Sequence, residues 1–275
     1  MRIIITGSNG FIGSNLIKSL LDNENEVYEL KRNEGFDLST NGFTDKITAK
    51  NVDVIIHFAQ SNNYRNFPDK VDDIYNVNCN STLELLEWGR KNGIKKFILA
   101  STGNVYKQSK QPLREFDKLE PNGFYGSSKL IAEELARNYS NFFDVTILRI
   151  FGCYGPGQKN MLISNMIENV KQKKEISLAQ GAGLFINPIY IDDFVNIFNI
   201  LSNFEQKNKV EIFNIGGDKI YSLYDIVNII GNELKIKPNI RLNDNEPNYL
   251  VGDISKVKYY YKDFFILENI IGKII

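Results

Sequence analysis

Runs of apolar residues alternate along the chain with apolar residues at helical spacing. "RIIIT" (2–6) is a continuous apolar run that predicts a buried strand, and "IGSNLIKSLLD" (12–22) has the three-to-four-residue spacing of a helix. "EVYEL" (26–30), "VDVIIHFA" (52–59), "KKFILAST" (95–102) and "FDVTILRIF" (143–151) predict further strands. A long helix is predicted over 75–93, ending at Gly93, a residue type suited to a helix C-terminus, and another over 125–139. Strands that are apolar throughout, alternating with helices, predict a parallel sheet covered on both faces. The predicted fold class is therefore α/β, a Rossmann-type doubly wound sheet.

After about residue 152 the pattern changes. Loops lengthen, as in "GCYGPGQKN" and "AQGAGLFINP", and helices are predicted near 160–174, 192–203 and 222–235. "ILENIIGKII" predicts a short terminal helix. Residues 1–152 are read as a dinucleotide-binding domain to which part of 185–205 returns. Residues 153–275 are read mainly as a smaller mixed α/β substrate-binding region.

Composition narrows the function. Lys+Arg and Asp+Glu each number 33, so net charge gives no reason to expect nucleic acid or an anionic membrane as partner. Two cysteines, Cys79 and Cys153, and one histidine, His57, exclude a disulfide scaffold and a cysteine-rich zinc site. No metal site is expected. The N-terminus has no signal-peptide layout and no apolar run is long enough for a membrane span, so a soluble cytoplasmic protein is expected.

"TGSNGFIG" (6–13) spaces glycines at 7, 10 and 13 directly between the first strand and the first helix. In that context the pattern predicts a dinucleotide site. Gly7 allows the tight turn, Gly10 lets backbone approach a pyrophosphate, and Gly13 lets helix and strand pack closely. Such folds carry an acidic residue about 20 positions further on for the ribose 2′-hydroxyl. Lys31 and Arg32 stand there instead. Two cations suit a 2′-phosphate, so NADP(H) is favoured; the other reading is two solvated charges, with NAD(H) held by other groups. Asp37 is close enough in sequence to reach the adenine.

Tyr125 and Lys129, in "FYGSSK", are one helical turn apart on one face. With the glycine turn, with "HFAQ" (57–60), Asn78, "ASTGNVY" (100–106), "RIFGCYGPGQ" (149–158), "IYIDD" (189–193), "FNIGG" (213–217) and "GDISK" (252–256), the chain resembles the extended short-chain dehydrogenase/reductase family, the nucleotide-sugar epimerase, dehydratase and reductase group. The resemblance spans nearly the whole chain.

The resemblance implies that Tyr125 gives or takes a proton at a substrate oxygen while hydride moves at the adjacent carbon. Lys129 would lower the phenol pKa and hold the nicotinamide ribose, and Thr102 would orient the substrate oxygen. It extends the cofactor set to Asn9, Phe11, Ile12, Leu38, Phe58 and Ala59. The substrate set becomes Gln60, Thr102, Gly103, Asn104 and Gly152. His57 is read as structural, Asn78 as holding a backbone bend or a water, and the tyrosines at 259–261 as packing. A homodimer through helices 75–92 and 125–139 is implied.

Four positions depart from the family pattern. Gly103-Asn104 replaces the Asp-Glu pair of 4,6-dehydratases, and neither residue exchanges a proton. Lys31 replaces an acid common in members that retain NAD⁺. Gly152 replaces an Asn that touches the diphosphate, and Asn187-Pro188 stands where many members place a phosphate-gripping Arg; Arg241, Lys159 or Lys174 could replace that contact. The leading expectation is an NADPH-dependent reductase of a nucleotide-linked 4-keto-6-deoxy sugar. The alternatives are a nucleotide-sugar 4-epimerase with retained NAD⁺, a reductase of a small carbonyl compound, and a non-catalytic dinucleotide sensor.

Overall fold

The computed structural model describes residues 1–275. In chain order the first half holds β1 (Arg2–Thr6), α1 (Phe11–Asp22), β2 (Glu26–Leu30), β3 (Val54–His57), α2 (Val71–Tyr75), α3 (Ser81–Asn92), β4 (Lys96–Thr102), α4 (Phe124–Asn138) and β5 (Asp144–Ile150). The second half adds β6 (Cys153–Tyr154), α5 (Leu162–Lys171), β7 (Ile176–Ala179), β8 (Leu184–Ile186), β9 (Ile189–Tyr190), α6 (Ile191–Ser202) and β10 (Val210–Ile215). The chain ends with β11 (Tyr221–Ser222), α7 (Leu223–Leu234), β12 (Ile240–Asn243), β13 (Asn248–Leu250), α8 (Ser255–Lys258) and α9 (Leu267–Ile270).

Six strands form the central sheet in the order β10-β5-β4-β3-β1-β2. The pairings β1–β2, β1–β3 and β3–β4 are parallel. All four residues of β3 and all seven of β4 are buried, as the unbroken apolar runs require of strands with both faces covered. Strand order reverses at β1, which pairs with β2 on one side and β3 on the other, and crevices for ligands form at the carboxyl ends beside such a reversal. The registers Thr6↔Leu30, Thr6↔His57 and His57↔Leu99 set those ends level, and β4 runs three residues beyond Leu99 to Thr102.

The chain divides into two compact units: Met1–Lys107, Lys118–Arg149 and Phe198–Phe213 form one, and Gln108–Asp117, Ile150–Ile197 and Asn214–Ile275 the other. The first unit holds a core of Ile4, Ile55, Leu85, Phe97, Ala132, Ala136 and Ile147, all at most 1% exposed. Burying each large aliphatic side chain contributes about 1.5–3 kcal/mol.

The predicted single helix over 75–93 is three pieces. α2 and α3 are joined by a π-helical turn, Asn76–Asn80, whose Val77, Asn78 and Cys79 are buried. Hydrophobic spacing does not reveal such a turn, because its extra residue per turn is stabilised by tertiary hydrogen bonds.

The second unit carries the small sheets β11-β8-β13, β12-β7 and β6-β9. Buried Asp193 accepts hydrogen bonds from the Tyr261 hydroxyl at 2.6 Å and the Phe265 amide at 2.9 Å, which fastens the C-terminal segment. Tyr261 therefore packs as expected, whereas Tyr259 is 80% exposed. No helix is long and apolar enough to cross a membrane.

Candidate active site

The glycine turn closes tightly between β1 and α1. Gly7 has φ +74°, and a Cβ there would lie 2.6 Å from the Ala59 backbone nitrogen. A Cβ on Gly13 would lie 2.2 Å from the Gly7 carbonyl oxygen. Any larger residue would push α1 off the sheet. α1 starts at Gly10 with no side-chain cap, so its first-turn N–H groups remain available to an anion. This cradle fits a dinucleotide pyrophosphate. Asn9 is exposed, Phe11 and Ile12 are half-buried, and Phe58 packs edge-on against Phe198 at 5.8 Å.

His57 lies behind the turn, fully enclosed. Ser81 and Thr82 donate their hydroxyls to the Val77 and Asn78 carbonyls at 2.7 and 2.8 Å, so toward His57 they can only accept. That makes Nε2 the protonated nitrogen, donating to Thr82 Oγ1 at 3.0 Å. Nδ1 then accepts from Thr6 Oγ1 at 2.6 Å, and Thr6 accepts from the Ala59 amide at 3.3 Å. Burial, aided by the nearby Lys129 charge, pushes the imidazole pKa down to about 3. A neutral histidine shared by two threonines ties three elements together and offers no general base for a hydrolase.

Because the unfolded chain protonates His57 near 6.5, the unfolded state binds more protons between pH 3 and 6.5. Stability therefore rises with pH across that window and is lost as pH falls through it, by up to about 1.4 kcal/mol per unit. The expected result is a shallower acid loss in His57→Gln than in the parent, read from urea midpoints at pH 7 and 4.5.

Thr102 and Tyr125 meet because α4 lies close to the turn after β4, and Lys129 follows Tyr125 by one turn of the same helix. A Cβ on Gly126 would lie 2.5 Å from the Asn104 carbonyl oxygen, so only glycine permits that approach. Thr102 Oγ1 accepts from the Asn104 amide and from Asn104 Nδ2, both at 3.2 Å. Its own proton is left to donate, and it hydrogen-bonds the Tyr125 phenol. Asn104, expected to touch substrate, thus orients Thr102; Gly103 is buried in the same turn.

Tyr125 donates to Gln60 Oε1 at 3.0 Å, and its ring packs on Tyr64 at 5.1 Å. Burial pushes the Tyr125 pKa up to about 12, with Thr102 opposing and Tyr64 adding to the rise. Burial pushes Lys129 down to about 8, with Cys79 and Glu133 opposing the fall. Lys129 alone therefore does not make the phenol a base; further positive charge is needed beside it.

Two features support this pair. Asn78, in the π-helical turn, accepts from the Ser61 amide and donates to Ser128 Oγ, both at 2.9 Å. Ser128 in turn donates to the Tyr125 carbonyl at 2.8 Å. Asn78 therefore acts through its side chain, linking the loop after β3 to the helix bearing Tyr125. Behind Lys129, Glu133 and Arg149 form a fully buried pair with Arg149 Nη2 donating at 2.6 Å and Nε at 3.0 Å. Ser101 donates to the same carboxylate, and the guanidinium lies 4.6 Å from the Tyr106 ring centroid. Sequence reading passed over this pair. Its signal was an acid among the positions 129, 132, 133 and 136 of one helix face.

The expected 2′-phosphate site is occupied by the protein's own carboxylates. Lys31 pairs with Glu29 at 2.8 Å and Glu34 at 3.8 Å, and Arg32 pairs with Asp37 at 3.1 Å. The hydrogen bond that Lys31 donates to Glu29 raises the Lys31 pKa. Glu29 is held below the usual carboxylate range: partial burial would raise it, but Lys31 and the Ser8 hydroxyl of the glycine turn overcome that. Asp37 is bound by Ser39 through N–H at 3.0 Å and hydroxyl at 2.8 Å, while Leu38 packs on the core. Three carboxylates against two cations leave no surplus positive charge there. The ground for expecting NADP(H) is thereby removed.

A model of the NAD dependent epimerase/dehydratase family matches residues 3–216. The chain belongs to that family. It is 29% identical over 289 residues to an uncharacterized UDP-glucose epimerase of Bacillus subtilis (strain 168), covering 94% of this chain and 91% of the relative. It is 27% identical over 289 residues to a UDP-glucuronate 4-epimerase of Thermodesulfobacterium geofontis (strain OPF15), covering 93% and 88%. A crystal structure of UDP-glucuronic acid 4-epimerase from Bacillus cereus, in complex with UDP-glucuronic acid and NAD, superposes with a TM-score of 0.84 at 25% identity, covering 98% of this chain and 96% of that one.

Within this epimerase/dehydratase framework the second unit shows what the unusual residues do. Asn187 is buried; its Nδ2 donates to the Gly217 and Gly252 carbonyls at 3.1 and 2.9 Å, and its Oδ1 accepts from the Gly252 amide at 3.0 Å. It is a structural clasp. Gly152 has φ +96°, and a Cβ there would meet no atom within 4 Å. Arg241 is 70% exposed and pairs with Glu175 at 3.5 Å; Lys159 and Lys174 are exposed.

Proposed function

We propose that this chain is a nucleotide-sugar 4-epimerase that keeps NAD⁺ bound through its cycle. The observation carrying this reading is the pairing of Lys31 and Arg32 with Glu29, Glu34 and Asp37. A reductase consuming NADPH needs free cations at the 2′-phosphate. An epimerase needs a retained dinucleotide, for which a carboxylate near the ribose is suited. Glu29 stands 19 residues after Gly10. The 4-epimerase relatives, matched over most of their length, support the same reading.

In this reading the glycine turn and the first amides of α1 hold the pyrophosphate, Glu29 holds the adenine ribose, and Lys129 the nicotinamide ribose. The bound oxidised nicotinamide supplies a hydride acceptor and the positive charge that the site lacks. Tyr125 would take the proton of the sugar 4-hydroxyl and return it to the same oxygen once hydrogen has been restored to the other face of C4. Thr102 donates to the same oxygen, held in that role by the two N–H groups of Asn104. No carboxylate follows Thr102, so a second proton transfer for dehydration has no carrier.

Denaturing the purified protein is expected to release NAD⁺ and not NADP⁺. Incubation with UDP-glucose or UDP-glucuronic acid, without added cofactor, is expected to yield the C4 epimer by chromatography. Absence of bound dinucleotide, together with NADPH oxidation by a dTDP-4-keto-6-deoxy hexose, would overturn the proposal in favour of the reductase.

A further inference from the structure

Tyr125 has two hydroxyl-level partners, and one has no part in the chemistry described so far. Thr102 donates to the phenol. The phenol's own proton goes to Gln60 Oε1 at 3.0 Å. Gln60 follows β3 by three residues, and the same loop lays Tyr64 against the Tyr125 ring at 5.1 Å, with Arg65 4.9 Å over Tyr64. Ser61, next in the chain, is fixed to Asn78 through its amide and to Asp73 through its hydroxyl. Gln60 thus sits on an anchored segment while its own side chain is exposed.

We propose that Gln60 is a positioning residue that holds the Tyr125 proton in the resting site and gives up its place to the substrate oxygen. An amide oxygen accepts a hydrogen bond only from the neutral phenol, so it stabilises that form against the phenolate. Because Tyr125 must be phenolate to take the sugar proton, the proton that Gln60 holds passes to solvent, to which Gln60 is exposed, as the sugar hydroxyl takes the place of the amide and Thr102 turns to the sugar oxygen. Gln60 therefore guards against a phenolate exposed to water when no sugar is present. This rests on the epimerase reading for its substrate but not for its resting-state contact. The charged and titratable groups facing Tyr125 are Tyr64 on the loop, with Arg65 over its ring; Lys129 follows one turn along the same helix. Lys129 faces Glu133 and Cys79, and Asp73 of α2 is held by Ser61 and Asn63.

The test uses full-length protein with ¹³Cζ-labelled tyrosine, as purified, with the Tyr125 signal assigned by its loss in Tyr125→Phe. Followed across the Tyr125 titration, Gln60→Ala is expected to raise the phenolate-to-phenol ratio at each pH about three- to tenfold, the size of one hydrogen bond. Gln60→Glu keeps an acceptor, adds negative charge, and is expected to lower the ratio below the parent's. A merely loosened loop would not move the two variants in opposite directions. An unchanged ratio in Gln60→Ala overturns the proposal. So does a decrease, which would mean that the amide nitrogen faces the phenol. If sugars are turned over, the acid limb of kcat/KM moves to lower pH in Gln60→Ala; if none are, the epimerase reading fails while the resonance still decides the role of Gln60.

Discussion

Tyr125→Phe is expected to lose about 10²- to 10⁴-fold in turnover, the range for removing a positioned acid–base group. The substitution deletes one oxygen and leaves the ring packed on Tyr64 at 5.1 Å, so the fold should survive. The phenol is the only titratable group bonded to Thr102's hydroxyl, and His57 is locked neutral between two threonines. No neighbour is therefore placed to take over the proton. The check is the initial rate of C4 interconversion beside the thermal midpoint. A loss under tenfold at unchanged midpoint would assign proton transfer to another group. Unaltered behaviour would fit a dinucleotide sensor on the same fold.

Arg149→Met is expected to cost about 3–5 kcal/mol of stability, because it strands the Glu133 carboxylate in a dry interior. Both side chains are 0% exposed, the pair is bonded twice, and Ser101 and Tyr106 complete its surroundings. Glu133→Leu should cost a similar amount by stranding the guanidinium. The double variant should cost well under the sum, since no uncompensated charge remains. Urea denaturation of the four proteins measures this. A single-variant cost below about 1 kcal/mol would show that water reaches the pair.

The same variants bear on the site. Glu133 follows Lys129 by one turn of α4, and its charge opposes the burial that lowers the lysine pKa. Losing it should carry Lys129 further below about 8, so activity should fall by more than the folded fraction alone predicts. The pair therefore links stability to the state of the lysine.

The sequence by itself determined the sheet, the glycine turn, and the trio Thr102, Tyr125 and Lys129. Each is written in local spacing: unbroken apolar runs for strands buried on both faces, glycines where a Cβ would strike backbone, and four residues for one helical turn. Tertiary structure decided what depends on which way side chains turn and which of them meet. Lys31 and Arg32 looked like a phosphate site until the fold brought carboxylates against both. Asn104, expected as a substrate contact, also hydrogen-bonds Thr102, and Gln60, expected likewise, accepts from Tyr125. The π-helical turn at Asn78 and the pair Glu133–Arg149 left almost no local trace, because the bonds that stabilise them close only when separate segments pack. Spacing along a chain records which face a residue occupies; whether a charge there is free or neutralised is set by what the fold lays across it.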